Sequence, residues 1–201
     1  MTTRLRQWLC LAGWLCAAGT ALAQGAAPAA EVTATPDAQT EIRQARPQAK
    51  LMGTSRLTVW GFQVYDARLW APASFAAGHY ATSPLALELR YLRDFKALDI
   101  AERSLQEMRR SQPISNAQAA LWKADMLRVI PDVKKGARIL GIHRPGRGAD
   151  FWVNGKASGE IRDAEFARLF FGIWLSPNTS EPQMRAALLA QMAAQRGGDI
   201  G

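Results

Sequence analysis

Apolar and polar residues alternate along two early parts of the chain, as they do in half-buried strands. Residues 57–60 and 62–70 are rich in aromatic and β-branched side chains and are separated by Gly61. Residues 85–91 place leucine or tyrosine at every second position, with alanine, glutamate and arginine between them. Because successive side chains of a strand point to opposite faces of a sheet, this two-residue period predicts three strands.

Further along, apolar residues recur at intervals of three and four, the spacing of one face of a helix. The members of this stripe are Ala97, Ile100, Ala101, Ser104, Leu105 and Met108. The charged residues that fall largely outside the stripe are Glu102, Arg103, Glu107 and Arg110. We therefore expect these charged side chains to face solvent. A second helix is predicted to follow Ser115, whose spacing to Gln118 fits a capping box, and to end before Pro131.

The C-terminal part of the chain repeats the order of strands and then helices. The two-residue period returns over residues 137–145 and 149–161, and Asn154-Gly155 within the second segment is a strong hairpin signal. Asp163 can cap an aromatic helix, and a last helix begins near Pro182. This order predicts the α+β class, a largely antiparallel sheet with helices packed on one face.

The strand segment of residues 55–70 has polar and apolar side chains on both of its faces. Asp66 and Arg68 share one face, and we expect each to pair with a neighbouring strand or helix. The aromatic and aliphatic residues of the segment are Trp60, Phe62, Tyr65, Leu69 and Trp70. Since a surface strand would not need all of them, the segment is interpreted as the wall of a pocket.

The N-terminal residues are typical of a secretory signal peptide. Arg4 and Arg6 precede an apolar run, and Ala21-Leu22-Ala23 supplies a small-x-small cleavage site. We therefore predict cleavage after Ala23 and an exported, periplasmic protein. Both cysteines of the chain lie in this leader, so the exported protein is expected to have no thiol or disulfide. Residues 24–48 are predicted to be a flexible Ala/Pro-rich tether, and residues 49–201 a single domain.

The composition argues against several classes of partner. Removal of Arg4 and Arg6 lowers the formal net charge from +8 to +6, but no cluster of Lys and Arg interleaved with aromatics occurs. Nucleic acid is therefore not expected as a partner, whereas weak attraction to an anionic membrane surface is. His79 and His143 are the two histidines of the chain. Without cysteine beside them they are too few for a transition-metal site, and no metal or cofactor is expected.

Several segments, in this order, resemble the exported bacterial branch of the chalcone isomerase-like proteins. They are "GTSRLTVWGFQVYDARLW", "YLRDFKALDIAERSLQEM", "KKGARI", "FWVNG" and "FARLFFGIWLSP". The resemblance covers nearly all of residues 51–189 and implies an open-faced β-sandwich, in which helices cover a sheet and enclose a ligand cleft. The family includes isomerases that close a flavonoid ring and non-catalytic relatives that bind fatty acids.

The resemblance also implies candidate site residues. Arg56 lies where the enzymes have an arginine that acts on the forming phenoxide. Tyr65 takes the position of an enzyme threonine, as a tyrosine does in the fatty-acid-binding branch. The residues near the other catalytic positions are Ile100, Arg103, Glu107 and Leu169, where the enzymes have tyrosine, lysine, asparagine and a further polar residue. Arg56 alone matches the expected catalytic set.

These residues support two interpretations of Arg56. If Arg56 and Tyr65 face a common cleft, a guanidinium and a phenol can together bind a carboxylate, with the ligand tail against apolar side chains. Alternatively, Arg56 lies in a turn and forms an ion pair with Asp66 or a glutamate. The stripe that contains Phe170, Phe171 and Trp174 is interpreted as core.

Three functions remain open from the sequence. The leading hypothesis is a non-catalytic periplasmic protein that binds a small hydrophobic ligand, such as a fatty or aromatic carboxylic acid. The second is an isomerase or lyase acting on an enone, with Arg56 stabilising an oxyanion and Tyr65 donating a proton. The third is an envelope scaffold with a closed cleft, whose surface docks a partner protein or the envelope membrane.

Overall fold

A computed structural model describes residues 38–191, in which six antiparallel strands form one sheet in the order of the sequence. The strands are β1 (Lys50–Val59), β2 (Phe62–Ala71), β3 (Leu85–Tyr91), β4 (Arg138–Arg144), β5 (Gly148–Val153) and β6 (Lys156–Ile161). The helices are α1 (Ala38–Ala45), α2 (Ala97–Met108), α3 (Asn116–Val129), α4 (Ala164–Leu175) and α5 (Pro182–Leu188). The predicted α+β class is confirmed. The predicted signal peptide and residues 24–37 of the tether lie outside the described residues.

The local signals of the sequence form the turns and caps that they predict. Asn154 and Gly155 both have positive φ, 48° and 86°, and make the two-residue turn between β5 and β6. The Ser115 hydroxyl accepts a hydrogen bond from the Gln118 amide at 3.2 Å at the start of α3. The Asp163 carboxylate accepts from the first amides of α4 in the same way. These groups satisfy backbone donors that a helix end leaves without an intrahelical partner.

The main core lies between one face of the sheet and helices α2 to α5. Leu69, Leu87 and Phe151 contribute to it from neighbouring strands, and the aromatic stripe of α4 packs against them. The rings of Phe166 and Phe170 stack with centroids 5.3 Å apart. The interpretation of the α4 aromatic stripe as core is therefore confirmed.

Helix α1 covers part of the opposite face of the sheet, which the sequence had not predicted. Ile42 is fully buried there against the residues of a second apolar cluster, Trp70, Ala86, Leu140 and Ile142. These positions alternate along the strands with those of the main core, such as Leu69 beside Trp70. The predicted tether of residues 24–48 is thus wrong from Ala38 to Ala45, because that segment is a helix with a buried side chain.

A buried ion pair joins α1 to the sheet. The Arg138 guanidinium donates from Nη2 to Glu41 Oε1 at 2.5 Å and from Nη1 to Oε2 at 3.2 Å. Both residues are buried, Arg138 with 6% of its surface exposed and Glu41 with 4%. A buried charge costs several kcal/mol when its partner is removed, so each residue requires the other.

The pocket-wall interpretation of residues 55–70 stays a prediction, because the aromatic and aliphatic residues of the segment divide between core and surface. Leu69 is buried and Tyr65 packs against the main core. Trp70 is also buried, but in the second cluster beneath α1. Trp60 and Phe62 are exposed at the β1–β2 turn.

We expect Glu41→Ala to lower the free energy of unfolding by about 3 to 5 kcal/mol, because it leaves the buried Arg138 guanidinium without its carboxylate. For a domain of this size the Tm should fall by roughly 6 to 20 °C. Gln44→Ala, at an exposed position of the same helix, is the matched control and should change stability by less than about 0.5 kcal/mol. Thermal unfolding followed by circular dichroism measures both, and equal Tm values would show that α1 is not anchored by Glu41.

Candidate functional site

Arg56 lies on β1 directly opposite Asp66 on β2. Its Nε donates to Asp66 Oδ1 at 2.6 Å, its Nη2 to Oδ2 at 3.0 Å and its Nη1 to Gln63 Oε1 at 3.2 Å. The hydrogen bonds to Asp66 raise the pKa of the Arg56 guanidinium above its ordinary value. The alternative interpretation, an ion pair with Asp66, therefore describes the geometry of Arg56.

Tyr65 occupies the other face of the sheet. It is paired across the sheet with Leu57 and Tyr91, and its ring meets the Tyr91 ring edge-on at 5.9 Å. The Trp174 indole on α4 donates a hydrogen bond to the Tyr65 hydroxyl oxygen at 3.0 Å. Tyr65 thus joins the sheet to the helical layer.

The structure does not bring Arg56 and Tyr65 together. Arg56 faces the row of Asp66, whereas Tyr65 is the next residue along β2 and points to the opposite face. The common cleft expected for these two residues is wrong, since no single head group can reach both sides of one strand. A ligand-binding role for Tyr65 alone remains a prediction.

Asp66 and Arg68 each meet a residue of an adjacent strand, as predicted. Asp66 pairs with Arg56 on β1, and the Arg68 guanidinium lies 4.0 Å from the carboxylate of Glu88 on β3. The face of β2 that carries Asp66 and Arg68 therefore forms ion pairs with both neighbouring strands. It is separated from the main core by the sheet itself.

Glu107 on α2 differs most from the sequence-based expectation. It was predicted to face solvent, but only 8% of its surface is exposed. The Arg103 guanidinium lies 2.6 Å from Glu107 Oε1, and Arg110 Nε lies 3.7 Å from Oε2. Oε2 is buried and makes no hydrogen bond within the described residues. The C-terminal end of α2 therefore holds a buried acceptor between Arg103 on the helix and Arg110 just beyond it.

The environment of Tyr65 keeps its phenol protonated. Burial raises the pKa of Tyr65 well above its ordinary value, the Trp174 hydrogen bond opposes this, and the charges of Glu181 and Glu107 add to it. Arg103 lowers the pKa by a smaller amount. Because the hydroxyl keeps its hydrogen at physiological pH, it can donate a hydrogen bond to a ligand as well as accept one from Trp174.

We define the Tyr65 cluster as Tyr65, Tyr91, Arg103, Glu107 and Trp174. Trp174 could not be identified as a member from the sequence, since an aromatic residue on a helical stripe is most simply core and nothing shows where its N–H points. As a candidate site residue, Glu107 was noticed only through the resemblance. Trp174 is identified by its hydrogen bond to Tyr65, and Glu107 by the effect of its charge on the pKa of Tyr65.

Two other positions singled out by the resemblance carry apolar side chains in the structure. Leu169 is fully buried in the main core, and Ile100 packs partly buried against it. Neither can transfer a proton. Among residues 38–191, no group of three or more His, Cys, Asp or Glu side chains is placed to hold a metal ion.

Two surface grooves reach the guanidinium groups beside Glu107. One, of about 640 Å³, is lined by residues of α2 and α3, including Arg103. The other, of about 460 Å³, is lined by Arg110 and the segment of residues 177–179. Of the Tyr65 cluster, Arg103 is the member that lines one of these grooves.

Comparison with known proteins places this geometry in context. Residues 30–190 match a protein family described as chalcone isomerase-like. An uncharacterized protein of Haemophilus influenzae is 27% identical over 135 residues, which are 66% of this chain and 64% of that protein. The crystal structure of an Arabidopsis thaliana fatty-acid binding protein superposes with a TM-score of 0.57 at 11% identity, covering 73% of this chain and 89% of that one. The last similarity shows the fold.

We expect Tyr65→Phe and Trp174→Phe to be coupled in stability. Tyr65→Phe leaves the indole N–H without an acceptor, which costs about 1 to 3 kcal/mol when the group is buried. In a protein that already carries Trp174→Phe, no indole N–H is left unpaired, so adding Tyr65→Phe should lower the free energy of unfolding by less. The double-mutant cycle should therefore give a coupling energy of about 1 kcal/mol. Urea denaturation of the four proteins measures it, and strictly additive effects would rule out the hydrogen bond.

Proposed function

We propose, because the chain belongs to the chalcone isomerase-like family, that it is an exported protein that binds a small hydrophobic acid without turning it over. The observation that carries this proposal is the Tyr65 hydroxyl. Among residues 38–191 it accepts a hydrogen bond from Trp174 and donates to no protein acceptor. It lies beside the apolar side chains of Leu57 and Tyr91, the mixture that ligand sites use.

The exposed guanidinium groups beside the Tyr65 cluster are proposed to bind an anionic head group. Arg103 and Arg110 both lie beside Glu107. Glu181 also acts on Tyr65, so the carboxylates here equal the guanidinium groups in number. Both guanidinium groups are exposed enough to turn towards a ligand. A carboxylate that accepts from the Tyr65 hydroxyl would face Arg103, and a charge-assisted hydrogen bond is about twice as strong as a neutral one.

The tail of the ligand is proposed to be aliphatic or aromatic. The similar Arabidopsis structure is that of a fatty-acid binding protein, which makes a fatty acid the first ligand to test. Binding without turnover is supported by Ile100 and Leu169, whose side chains have no proton to donate. The raised pKa of Tyr65 further disfavours its use as a base.

Export is proposed from the N-terminal sequence. Arg4 and Arg6, the apolar run after them and the Ala21-Leu22-Ala23 site form the pattern of a signal peptide. Periplasmic location follows from that pattern and would bring the protein to lipid-derived ligands of the cell envelope.

We expect the wild-type protein to bind a long-chain fatty acid more tightly than its methyl ester, because only the acid presents an anion to Arg103. Arg103→Ala should remove most of this preference. Tyr65→Phe should lower the affinity for the acid by roughly 2- to 12-fold, because one neutral hydrogen-bond donor is lost. Isothermal titration calorimetry with acid and ester measures both effects.

Arg56→Ala is the matched control for this titration. It removes the same charge from the opposite face of the sheet and should leave the preference for the acid unchanged. If the preference for the acid were lost in Arg56→Ala but kept in Arg103→Ala, the site would lie on the face of the sheet that carries Arg56. Equal affinities for acid and ester in the wild-type protein would overturn the proposed anion, and absence of binding would overturn the function.

We expect the protein recovered from the periplasm of an expressing cell to begin at Gln24. Cleavage after Ala23 removes the leader, so intact mass spectrometry should show the mass of residues 24–201. Recovery of the full-length mass from the cytoplasmic fraction alone would contradict export.

A further inference from the structure

Large apolar side chains are exposed together at one end of the sheet. Trp60 is 94% exposed and Phe62 58%, and Val59 beside them is also exposed. Leu98, in the first turn of α2, is exposed at the same end, where β3 leads into that helix. The other exposed large apolar residues of the described chain, Leu121 and Leu127, lie on α3. We define the hairpin tip as Val59, Trp60, Gly61 and Phe62.

The turn at the hairpin tip is built from an unfavourable residue. Trp60 has φ of 49° and Gly61 of 81°, so both central residues occupy the left-handed region of a two-residue hairpin. Asn-Gly is the preferred sequence for that turn, whereas a bulky side chain with positive φ is sterically unfavourable. A strained tryptophan whose side chain is exposed to solvent adds no core packing to stabilise the fold. Such outliers concentrate at functional surfaces.

Cations lie at the same end of the sheet as the hairpin tip. The Arg93 guanidinium lies over the Phe62 ring, 4.7 Å from its centroid. Lys135 and Lys156 are exposed in the turns and strand ends at the same end of the sheet. Within residues 38–191, no salt bridge involves Arg93, Lys135 or Lys156. By contrast, Lys96 and Lys134 each form a salt bridge with an aspartate.

Two carboxylates lie in the loops between β3 and α2 and between α3 and β4, and both accept hydrogen bonds. Asp94 accepts from the Lys134 ammonium and the Lys135 amide, and Asp132 from the Lys96 ammonium and the Ala97 amide. These bonds lower the pKa values of both aspartates. The end of the sheet therefore carries a net positive charge around exposed aromatic side chains.

We propose that the hairpin tip docks the protein on an anionic lipid bilayer. Tryptophan is suited to the interface of a bilayer because its ring is apolar and its N–H is polar. Cations near an anionic membrane surface add attraction. No helix in residues 38–191 is long and apolar enough to cross a bilayer. Trp60 and Phe62 enter the interface, and Arg93, Lys135 and Lys156 contact the head groups.

The test is partition of the purified protein onto vesicles of phosphatidylglycerol and phosphatidylcholine, compared with vesicles of phosphatidylcholine alone. The protein is produced with its own N-terminal sequence, and the processed N terminus is read by mass spectrometry so that it is the same for every variant. We expect binding to the anionic vesicles only. Trp60→Asn should weaken it roughly tenfold, and Arg93→Gln about fivefold.

Stability separates docking from a structural role. Because Asn-Gly suits the turn better than Trp-Gly, Trp60→Asn should keep or raise the Tm while it loses lipid affinity. Leu121→Gln, which removes an exposed leucine on α3, is the control and should bind like the wild-type protein. Equal partition of wild type and Trp60→Asn would overturn the proposal. So would binding that is as tight on phosphatidylcholine alone, or a loss in Leu121→Gln as large as that in Trp60→Asn.

Discussion

The alternation of side chains along β2 is the constraint on which the rest of the structure depends. Tyr65, Ala67 and Leu69 point to the helical layer, and Asp66 and Arg68 point away from it. Since a slip of one residue would exchange the two sets, the register of the sheet fixes both the core and the ion pairs. It also separates the candidate site residues, because it assigns Tyr65 to the side that faces the helices and Asp66, with its partner Arg56, to the other.

The face of the sheet opposite the main core shows how a fold accommodates charged residues on several strands. Arg56, Arg68 and Arg138 each have a carboxylate partner, and the most buried of these pairs requires α1 to supply Glu41. Ile42 of the same helix is also buried, and the apolar surface that it removes from water stabilises the contact of α1 with the sheet. The segment before β1 therefore belongs to the folded unit from Ala38, although its composition is that of a linker.

The candidate site and the hairpin tip are neighbours on one strand. Phe62 precedes Tyr65 by three residues on β2, about 10 Å along an extended chain. If both proposals hold, the ligand site lies close to the bilayer surface, where hydrophobic acids concentrate. The two remain independent, since docking relies on exposed residues of the turn and binding on the partly buried phenol.

The sequence by itself determined the elements, because hydrophobic period, capping residues such as Asp163 and turn dipeptides such as Asn154-Gly155 act over a few residues. It also determined the α+β class through their order. Helix α1 was missed, since its stability comes from Glu41 and Ile42 meeting strands far along the chain. Which residues form the site was likewise decided only by tertiary structure: cross-strand register separates Arg56 from Tyr65, and helix packing brings Trp174 and Glu107 to Tyr65. Such contacts depend on distances between remote segments, which no local pattern encodes.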